Sequence, residues 1–247
     1  MKYELRPFWN RHFKFNWKFG LFLILIVCIT RFILVLNANK TGNYSLIGLV
    51  MFISALVPFL FLSKYGRKKI GIKTTKKVNF LILAFAIGIT FSAVLYLLGQ
   101  VLYGKSYENW YEYIGKSYNI PKNISTQSKR TMFMIMAVTG MIFSPIGEEL
   151  FFRGIVHGSF AKSIGNKKAS IIDSSAFALT HISHFGLVFI NNKWDFYLVP
   201  TLIWVSSMFI VSLIFFEMKK RTDSIWGAIL CHSGFNLGMI YFIFYSI

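Results

Sequence analysis

The sequence predicts an all-α integral membrane protein, a polytopic bundle of about seven or eight transmembrane helices. Its 247 residues are 55% hydrophobic and only 15% charged, whereas soluble chains usually carry about 25% charged residues. The mean hydropathy is +0.55. The apolar residues also form long uninterrupted runs instead of recurring at the 3.6-residue period of a soluble amphipathic helix. These observations favour a membrane bundle over a water-soluble core.

A helix that crosses a hydrocarbon core about 30 Å thick needs about 20 apolar residues, and seven runs in the chain are of about this length. They lie near residues 19–36, 45–63, 79–103, 131–158, 169–190, 197–216 and 224–246. A basic segment precedes the first run and resembles the start of a secretory signal. No small-residue cleavage site follows Thr30, so we expect the first run to remain as an uncleaved helix.

The basic residues are concentrated in alternate connections. Five precede the first run, only Lys40 follows it, and seven lie between Lys64 and Lys77. Because cytoplasmic loops are enriched in Lys and Arg, the pattern predicts a multi-pass protein of the cell membrane with a cytoplasmic N-terminus and an external C-terminus. The net charge of +18 then reflects contact with a lipid bilayer, and we do not expect nucleic acid as a partner.

The segment 104–130 fits the alternation poorly, since it carries five basic and two acidic residues. Trp110, Tyr111 and Tyr113 are spaced to rest at a membrane interface, so we predict an outer loop with a surface-lying piece and leave room for an eighth helix. No repeat of fixed period occurs. We therefore expect one membrane domain, with N-terminal helices and the outer loop in residues 1–130 and the polar motifs in residues 131–247, on the last four helices.

Three of the nine acidic residues, Glu148, Glu149 and Asp173, fall inside predicted spans. A charged side chain in a membrane helix costs about 2.5–3.5 kcal/mol on insertion scales, so we expect these residues to have a role. The spacing of four places Arg153 over Glu149 on one helix face, while Glu148 points about 100° away. The spacing predicts a Glu149–Arg153 ion pair with Glu148 as a poised general base. In the plainer alternative, such a pair only joins two helices.

Two later runs carry further polar residues. His181 lies four residues after Phe177, and Asn236 lies four residues after His232, so each pair shares a helix face. Taken singly, a histidine is often an ordinary core residue and an asparagine an interhelical hydrogen-bond donor. With the predicted topology, however, Glu148, His181 and His232 arrive at a similar depth, in the cytoplasmic half. We therefore predict that they form one site.

Three short motifs resemble those of the CPBP family, which includes the CaaX prenyl endopeptidases and the bacteriocin-processing and immunity proteins formerly called Abi. The strings EELFFR, FALTH and HSGFN, at residues 148–153, 177–181 and 232–236, match its E-E-x-x-x-R, F-x-x-x-H and H-x-x-x-N motifs. The resemblance covers roughly residues 131–247. It implies a helical intramembrane peptidase whose site opens toward the cytoplasm.

Carried over to this chain, the resemblance implies that a glutamate and a histidine, Glu148 and His181, activate a water molecule. His232 and Asn236 would stabilise the oxyanion. The remaining motif residues, Glu149 and Arg153, would hold their helix in place and tune the basicity of Glu148.

This route needs no nucleophilic side chain, and no serine or cysteine is obviously paired with a base. Cys28 and Cys231 both fall in apolar runs, where a small buried hydrophobe is the usual role of cysteine. Glu148, His181 and His232 would form an alternative zinc site with water as the fourth ligand. The H-E-x-x-H motif is missing, so the favoured mechanism requires no cofactor.

We therefore predict an intramembrane endopeptidase that hydrolyses a peptide or membrane-protein substrate near the cytoplasmic face. The abundance of Lys, Asn, Ile and Phe is typical of an AT-rich bacterial genome, so prenylated substrates are not expected. The resemblance implies bacteriocin or peptide-signal processing, or immunity. Two alternatives stay open: a non-catalytic scaffold that regulates sensor kinases or envelope enzymes, and a cation-coupled transporter, since intramembrane charges also mark translocation paths.

Overall fold

The structure, a computed structural model, describes residues 3–121 and 123–247; Lys2, counted above among the basic residues before the first run, lies outside them. Within the described residues, five helices are long and apolar enough to cross a membrane, which confirms the all-α membrane bundle. They are Trp17–Thr41, Val78–Tyr103, Thr126–Ile164, Leu198–Thr222 and Ile225–Tyr245. Ser45–Phe61 is a shorter apolar helix. The count of seven or eight spans stays a prediction, as does the division at residue 130.

The described elements follow the chain in a simple order: α1 Pro7–His12, α2 Trp17–Thr41, α3 Ser45–Phe61, α4 Lys64–Lys69, α5 Val78–Tyr103, α6 Trp110–Lys116, α7 Thr126–Glu149, a π-helical segment Leu150–Val156, α8 His157–Ile164, α9 Asn166–Thr180, a 3₁₀ turn His181–Ser183, strands β1 Leu187–Ile190 and β2 Lys193–Phe196, α10 Leu198–Thr222 and α11 Ile225–Tyr245. The α7 helix, the π-helical segment and α8 continue without a break as one span of 39 residues. Six of the seven predicted runs coincide with helices.

The predicted run 169–190 is wrong as a continuous span. The α9 helix ends at Thr180, and the chain continues as the 3₁₀ turn and an antiparallel hairpin of β1 and β2. Asn191 and Asn192 form the two-residue hairpin loop, with φ of 49° and 61°. Asparagine tolerates this left-handed conformation better than most residues, and tight hairpin loops require it. His181 therefore lies just past the end of a helix and not within a span.

The sequence predicts that the aromatic residues of α6 rest at a membrane interface, but the structure buries them within the bundle. Trp110 and Tyr111 are completely buried, and Tyr113 is 5% exposed. The Tyr111 hydroxyl donates to the backbone carbonyl of Ser92 in α5 at 2.8 Å. The indole of Trp110 stacks on Trp204 of α10, with ring centroids 6.2 Å apart. Trp110 and Tyr111 therefore pack α6 against α10 and α5.

The α5 and α11 helices pack closely because small residues face one another. A side chain on Gly88 would meet the α11 backbone, and a side chain on Gly234 would meet the α5 backbone. One turn further along, Gly238 lies against Ser92. Small residues at such positions let two membrane helices bring their backbones together. This contact holds α11, which carries two of the predicted site residues, against the bundle.

One end of the bundle, here called the basic face, carries the lysine-rich connections. Glu4 accepts hydrogen bonds from Lys69 of α4 at 2.8 Å and from Lys162 of α8 at 3.0 Å. Lys73 pairs with Asp223, in the turn between α10 and α11. Four parts of the chain therefore meet at one end of the bundle: the N-terminal segment, the connection that precedes α5, the α8 helix, and the turn between α10 and α11. The side of the membrane to which this face points stays a prediction.

The opposite end, here called the α6 face, is formed by α6, the hairpin and the end of α2. The Phe189 backbone N–H in β1 donates to the Tyr113 hydroxyl of α6 at 2.8 Å. Asn39, near the end of α2, donates to the Ser183 carbonyl at 2.7 Å. These bonds place the 3₁₀ turn that begins at His181 close to the α6 face.

Candidate active site

Glu148 and Glu149 are the last two residues of α7, where the chain continues as the π-helical segment. Every residue of that segment is buried, and the two glutamates are buried as well, at 2% and 0% exposure. Gly147 lies against the backbone of Met51 in α3, where a larger side chain would not fit. Because the two helices approach this closely, both carboxylates are enclosed by protein. Single π-helical turns within α-helices are frequent at functional sites.

Glu149 and Arg153 form the predicted ion pair, with 3.2 Å between Oε2 and Nε and no exposure of either side chain. Arg153 Nη2 also donates to the Ser212 hydroxyl of α10. The guanidinium lies over the ring of Phe177, 4.3 Å from its centroid. A carboxylate, a hydroxyl and an aromatic face therefore enclose this positive charge, and they compensate for its removal from water.

Glu149 also accepts a hydrogen bond from His232 Nδ1, at 2.8 Å through Oε1. Because an ionised carboxylate only accepts hydrogen bonds, Nδ1 carries the hydrogen and Nε2 is the ring nitrogen left for another partner. The ring stacks on Phe215, with centroids 4.7 Å apart. Glu149 thus joins Arg153 to His232 and orients the imidazole, a contact that sequence spacing does not reveal.

Glu148 has a cationic partner of its own, which corrects the expectation that only its neighbour is paired. Arg31 of α2 donates from Nη2 to Glu148 Oε1 at 3.0 Å, and the two side chains are 5% and 2% exposed. The Ser144 hydroxyl donates to the same oxygen at 2.5 Å. Glu148 Oε2 is buried and has no hydrogen-bond partner among the described residues. One carboxylate oxygen is therefore anchored, and the other is available to accept a proton.

Two histidines follow the end of α9. His181 Nδ1 donates to the Phe177 carbonyl at 2.7 Å, so in the neutral ring Nε2 is an acceptor. Arg31 Nη2 lies 3.2 Å from His184 Nε2, and because arginine can only donate, His184 accepts this bond. Trp204 Nε1 of α10 donates to the His181 carbonyl at 3.1 Å. These bonds fix both imidazoles beside the arginine.

Asn236 lies one turn after His232 on α11. Its Nδ2 donates to the Gly140 carbonyl of α7 at 2.9 Å. An amide nitrogen carries two hydrogens, so a second N–H remains for another acceptor. The bond to α7 holds the amide in a fixed orientation.

Four of the six predicted site residues line one cavity of about 240 Å³. These four are Glu148, His181, His232 and Asn236, and Arg31 and His184 line it as well. Glu149 and Arg153 are packed behind the cavity wall and hold it. The structure therefore brings together residues from α2, α7, α11 and the turn that follows α9.

Residues 130–238 match the model of a protein family described as Rce1-like, type II CAAX prenyl endopeptidase. All six predicted site residues lie within the matched range. We call residues 130–238 the Rce1-like segment. Since the Rce1-like family is a protease family of the CPBP group, the resemblance seen in the sequence is confirmed for this segment, and peptidase activity is supported. No curated protein and no solved structure gives a significant match to the chain.

Three side chains at the site were not predicted to belong to it: Arg31, Ser144 and His184. Arg31 lies before the Rce1-like segment, on a helix that the family match does not reach. It is the single charged residue of the run 19–36. Because a charged side chain in a membrane helix is costly, its presence there could have indicated a role, as it did for Glu148. Ser144 is four residues before Glu148, a spacing that places both on one helix face.

Asp173 is the third acidic residue predicted within a span, and it lies away from this cavity. It is completely buried, with Oδ2 2.6 Å from His157 Nδ1. His157 lines a separate groove at the basic face. The Rce1-like segment therefore holds a second buried acid–histidine pair that is not part of the candidate site.

His181 lies toward the α6 face of the bundle. His181 follows the end of α9 and is followed by Ser183, which contacts the end of α2 at the α6 face. Its partner Trp204 lies in the second turn of α10, which also starts at that face. His181 is therefore closer to the α6 face than to the basic face. The depth of the site relative to the two sides of the membrane stays a prediction.

The alternative zinc site fits these residues poorly. The described residues contain no group of three or more His, Cys, Asp or Glu side chains that could hold a metal ion. In addition, Arg31 already places a positive charge on Glu148, one of the three ligands that zinc would need. The metal-free mechanism itself stays a prediction.

Proposed function

We propose that the protein is an intramembrane endopeptidase that hydrolyses a peptide bond in a peptide or membrane-protein substrate. The observation that carries this proposal is the shared cavity of Glu148, His181, His232 and Asn236 within the Rce1-like segment. Amide hydrolysis needs an acceptor for the proton of the attacking water and donors for the oxyanion. The four side chains provide groups of both kinds.

In the proposed reaction, Glu148 is the general base. A water molecule placed between Glu148 Oε2 and His181 Nε2 transfers a proton to the carboxylate, and its oxygen attacks the carbonyl carbon of the substrate. The C–N bond then breaks, and the proton held by Glu148 passes to the leaving nitrogen. A general base placed in this way contributes about 10²–10⁴ in rate.

The oxyanion is stabilised from α11. Asn236 donates its second N–H, and His232 donates from Nε2 when both ring nitrogens carry hydrogen. Such donors are effective in a site from which water is excluded, and the loss of one typically lowers turnover by about 10²–10³. Glu149 and Arg153 act indirectly, because they fix the orientation of His232 and the end of α7.

The walls of the cavity indicate the kind of segment that is cleaved. Beside the polar group, they are formed by apolar side chains that include Met51, Met208, Phe235 and Ile240. A pocket of this composition favours apolar residues next to the scissile bond. Processing of a bacteriocin or a peptide signal, or immunity to one, is the physiological role that we propose for the activity.

The test compares membrane and secreted peptides from cells that express wild type, Glu148→Gln, His181→Ala or Glu217→Gln at equal abundance. Glu217 is a partly exposed carboxylate of α10, paired with lysine and arginine at the basic face, and serves as the matched control. We expect the first two variants to lose cleavage of the same peptides and the control to retain it. Wild-type cleavage by Glu148→Gln would overturn the assignment and favour the scaffold. Loss of cation uptake with cleavage unaffected would favour the transporter.

A further inference from the structure

The far wall of the active-site cavity is built from parts of the chain that lie at the α6 face. Ile47 is in the first turn of α3, Ile114 is on α6, and Tyr118 follows α6. Met239 and Ile240 come from the last two turns of α11. The cavity therefore extends from the buried carboxylate of Glu148 toward the α6 face.

On the opposite side, a layer of buried side chains closes the cavity. Phe152, Arg153, Phe177 and Phe215 are each no more than 2% exposed. The Arg153 guanidinium lies 4.3 Å from the centroid of Phe177 and 5.3 Å from that of Phe215. Lys219 donates to the Arg153 backbone carbonyl from the basic-face side. Phe177 lines the active-site cavity and Lys219 lines the basic-face groove, so this layer lies between the two.

The neighbouring cavities also indicate that the active-site cavity extends toward the α6 face and not toward the basic face. The basic face has its own groove of about 960 Å³, and none of its lining residues lines the active-site cavity. A pocket of about 90 Å³ at the α6 face, in contrast, shares His184 and Ile114 with the active-site cavity. These two shared side chains lie between the pocket and the active-site cavity. The pocket that adjoins the active-site cavity is therefore at the α6 face and not at the basic face.

We infer that the substrate reaches Glu148 from the α6 face, opposite the lysine-rich basic face, as an apolar peptide segment. This inference rests on the proposed function. With the N-terminus in the cytoplasm, as loop charge predicts, the α6 face is external. The substrates are then secreted peptides or the outer halves of membrane segments, and the cytosolic ends of membrane proteins are excluded.

The experiment measures labelling by a small, membrane-impermeant thiol reagent and needs no turnover. Single cysteines are placed in the full-length chain with Cys28→Ala and Cys231→Ala. Met208→Cys and Met51→Cys report on the cavity, since both residues line it and are at most 4% exposed. Trp194→Cys, in β2 at 43% exposure, marks the α6 face. Ala161→Cys, which lines the basic-face groove, marks the other side.

Each cysteine is labelled in intact cells and in inverted membrane vesicles. We expect both cavity cysteines to react from the side that labels Trp194→Cys and not from the side that labels Ala161→Cys. Ile114→Trp places a larger side chain between the α6-face pocket and the active-site cavity. Adding it should slow labelling of Met208→Cys and leave labelling of Ala161→Cys unchanged. Labelling of the cavity cysteines from the basic-face side, or of neither cysteine from either side, would overturn the inference. Because Glu148→Gln tests the activity separately, failure of the access route and failure of the proposed function are distinguishable.

Discussion

Arg31 donates from Nη2 to Glu148 Oε1 at 3.0 Å, and the two residues are separated by 117 positions in the chain. The bond joins α2, which lies before the Rce1-like segment, to the residue proposed as general base. The same nitrogen contacts His184 Nε2 at 3.2 Å. Arg31 therefore fixes one carboxylate oxygen and one imidazole at once, and the first membrane helix contributes to the site.

We predict that Arg31→Gln lowers both stability and turnover. Removal of one member of a buried ion pair leaves an uncompensated charge and typically costs about 3–5 kcal/mol. Arg31→Lys keeps the charge but lacks the fixed fork of donors, so it should retain more stability than Arg31→Gln and still lose turnover. Melting temperature and peptide turnover of the purified variants are the measurements. Arg11→Gln, at an exposed position near the N-terminus, is the control, and wild-type behaviour of Arg31→Gln would contradict the prediction.

A second prediction compares two Glu–Arg pairs that share the same four-residue spacing. Glu149–Arg153 is completely buried, whereas in Glu217–Arg221 the side chains are 34% and 50% exposed. We expect Arg153→Ala to lower the free energy of unfolding by about 3–5 kcal/mol, because Glu149 then lacks its cation. Arg221→Ala should change it by less than about 1 kcal/mol, as is usual for solvent-exposed pairs. Denaturation in the same detergent measures both, and equal effects would show that burial does not decide the outcome.

The sequence predicted the local relationships of the site and missed those between distant helices. The ion pair of Glu149 with Arg153 follows from helical spacing alone, and the apolar runs give six helices. The contacts of Glu148 with Arg31 and of Glu149 with His232 span 117 and 83 positions. Nothing in the periodicity of one helix states which other helix packs against it, so these partners could not be assigned from the sequence.

The prediction of a continuous membrane span over residues 169–190 was wrong for a different reason. Residues 185–190 are apolar, and a short apolar run of this kind is compatible with a helix or with a buried strand. Asn191 and Asn192 were the signal for a hairpin, because paired residues of this type form two-residue loops. The error moved His181 from the end of a helix into a span, whereas its depth relative to the membrane stays a prediction.

The third prediction concerns acid sensitivity at the basic face. Burial raises the pKa of Glu4, but hydrogen bonds from Lys69 and Lys162 and the charge of Lys162 outweigh it and hold the pKa below its ordinary value of 4.5. A carboxyl whose pKa is lower in the folded state stabilises the fold at higher pH, and this contribution is lost as pH falls through the folded-state pKa. It is therefore complete at neutral pH and is lost below about 4.5.

We accordingly expect Glu4→Gln to melt at a lower temperature than wild type at neutral pH, with the difference vanishing as pH falls below that range. Melting curves of both proteins across the acidic range provide the measurement. Asp223→Asn is the matched control, because Asp223 has a lysine partner, Lys73, but is 73% exposed. A Glu4→Gln difference that persists unchanged in acid would show that the carboxylate does not contribute through its charge.

The last prediction separates water activation from a covalent route. The sequence analysis found no serine obviously paired with a base, but the structure places Ser144 Oγ 2.5 Å from Glu148 Oε1. If Ser144 were the nucleophile, Ser144→Ala would abolish turnover as completely as Glu148→Gln. In the proposed mechanism, it removes only one of two donors that hold Oε1, while Oε2 still receives the proton of water. We therefore expect Ser144→Ala to lower turnover by no more than about tenfold, or about 1.4 kcal/mol. Glu148→Gln should lower it by about 10²–10⁴. Mass spectrometry of enzyme trapped during turnover should detect no acyl adduct, and an adduct that Ser144→Ala abolishes would assign the chemistry to the serine.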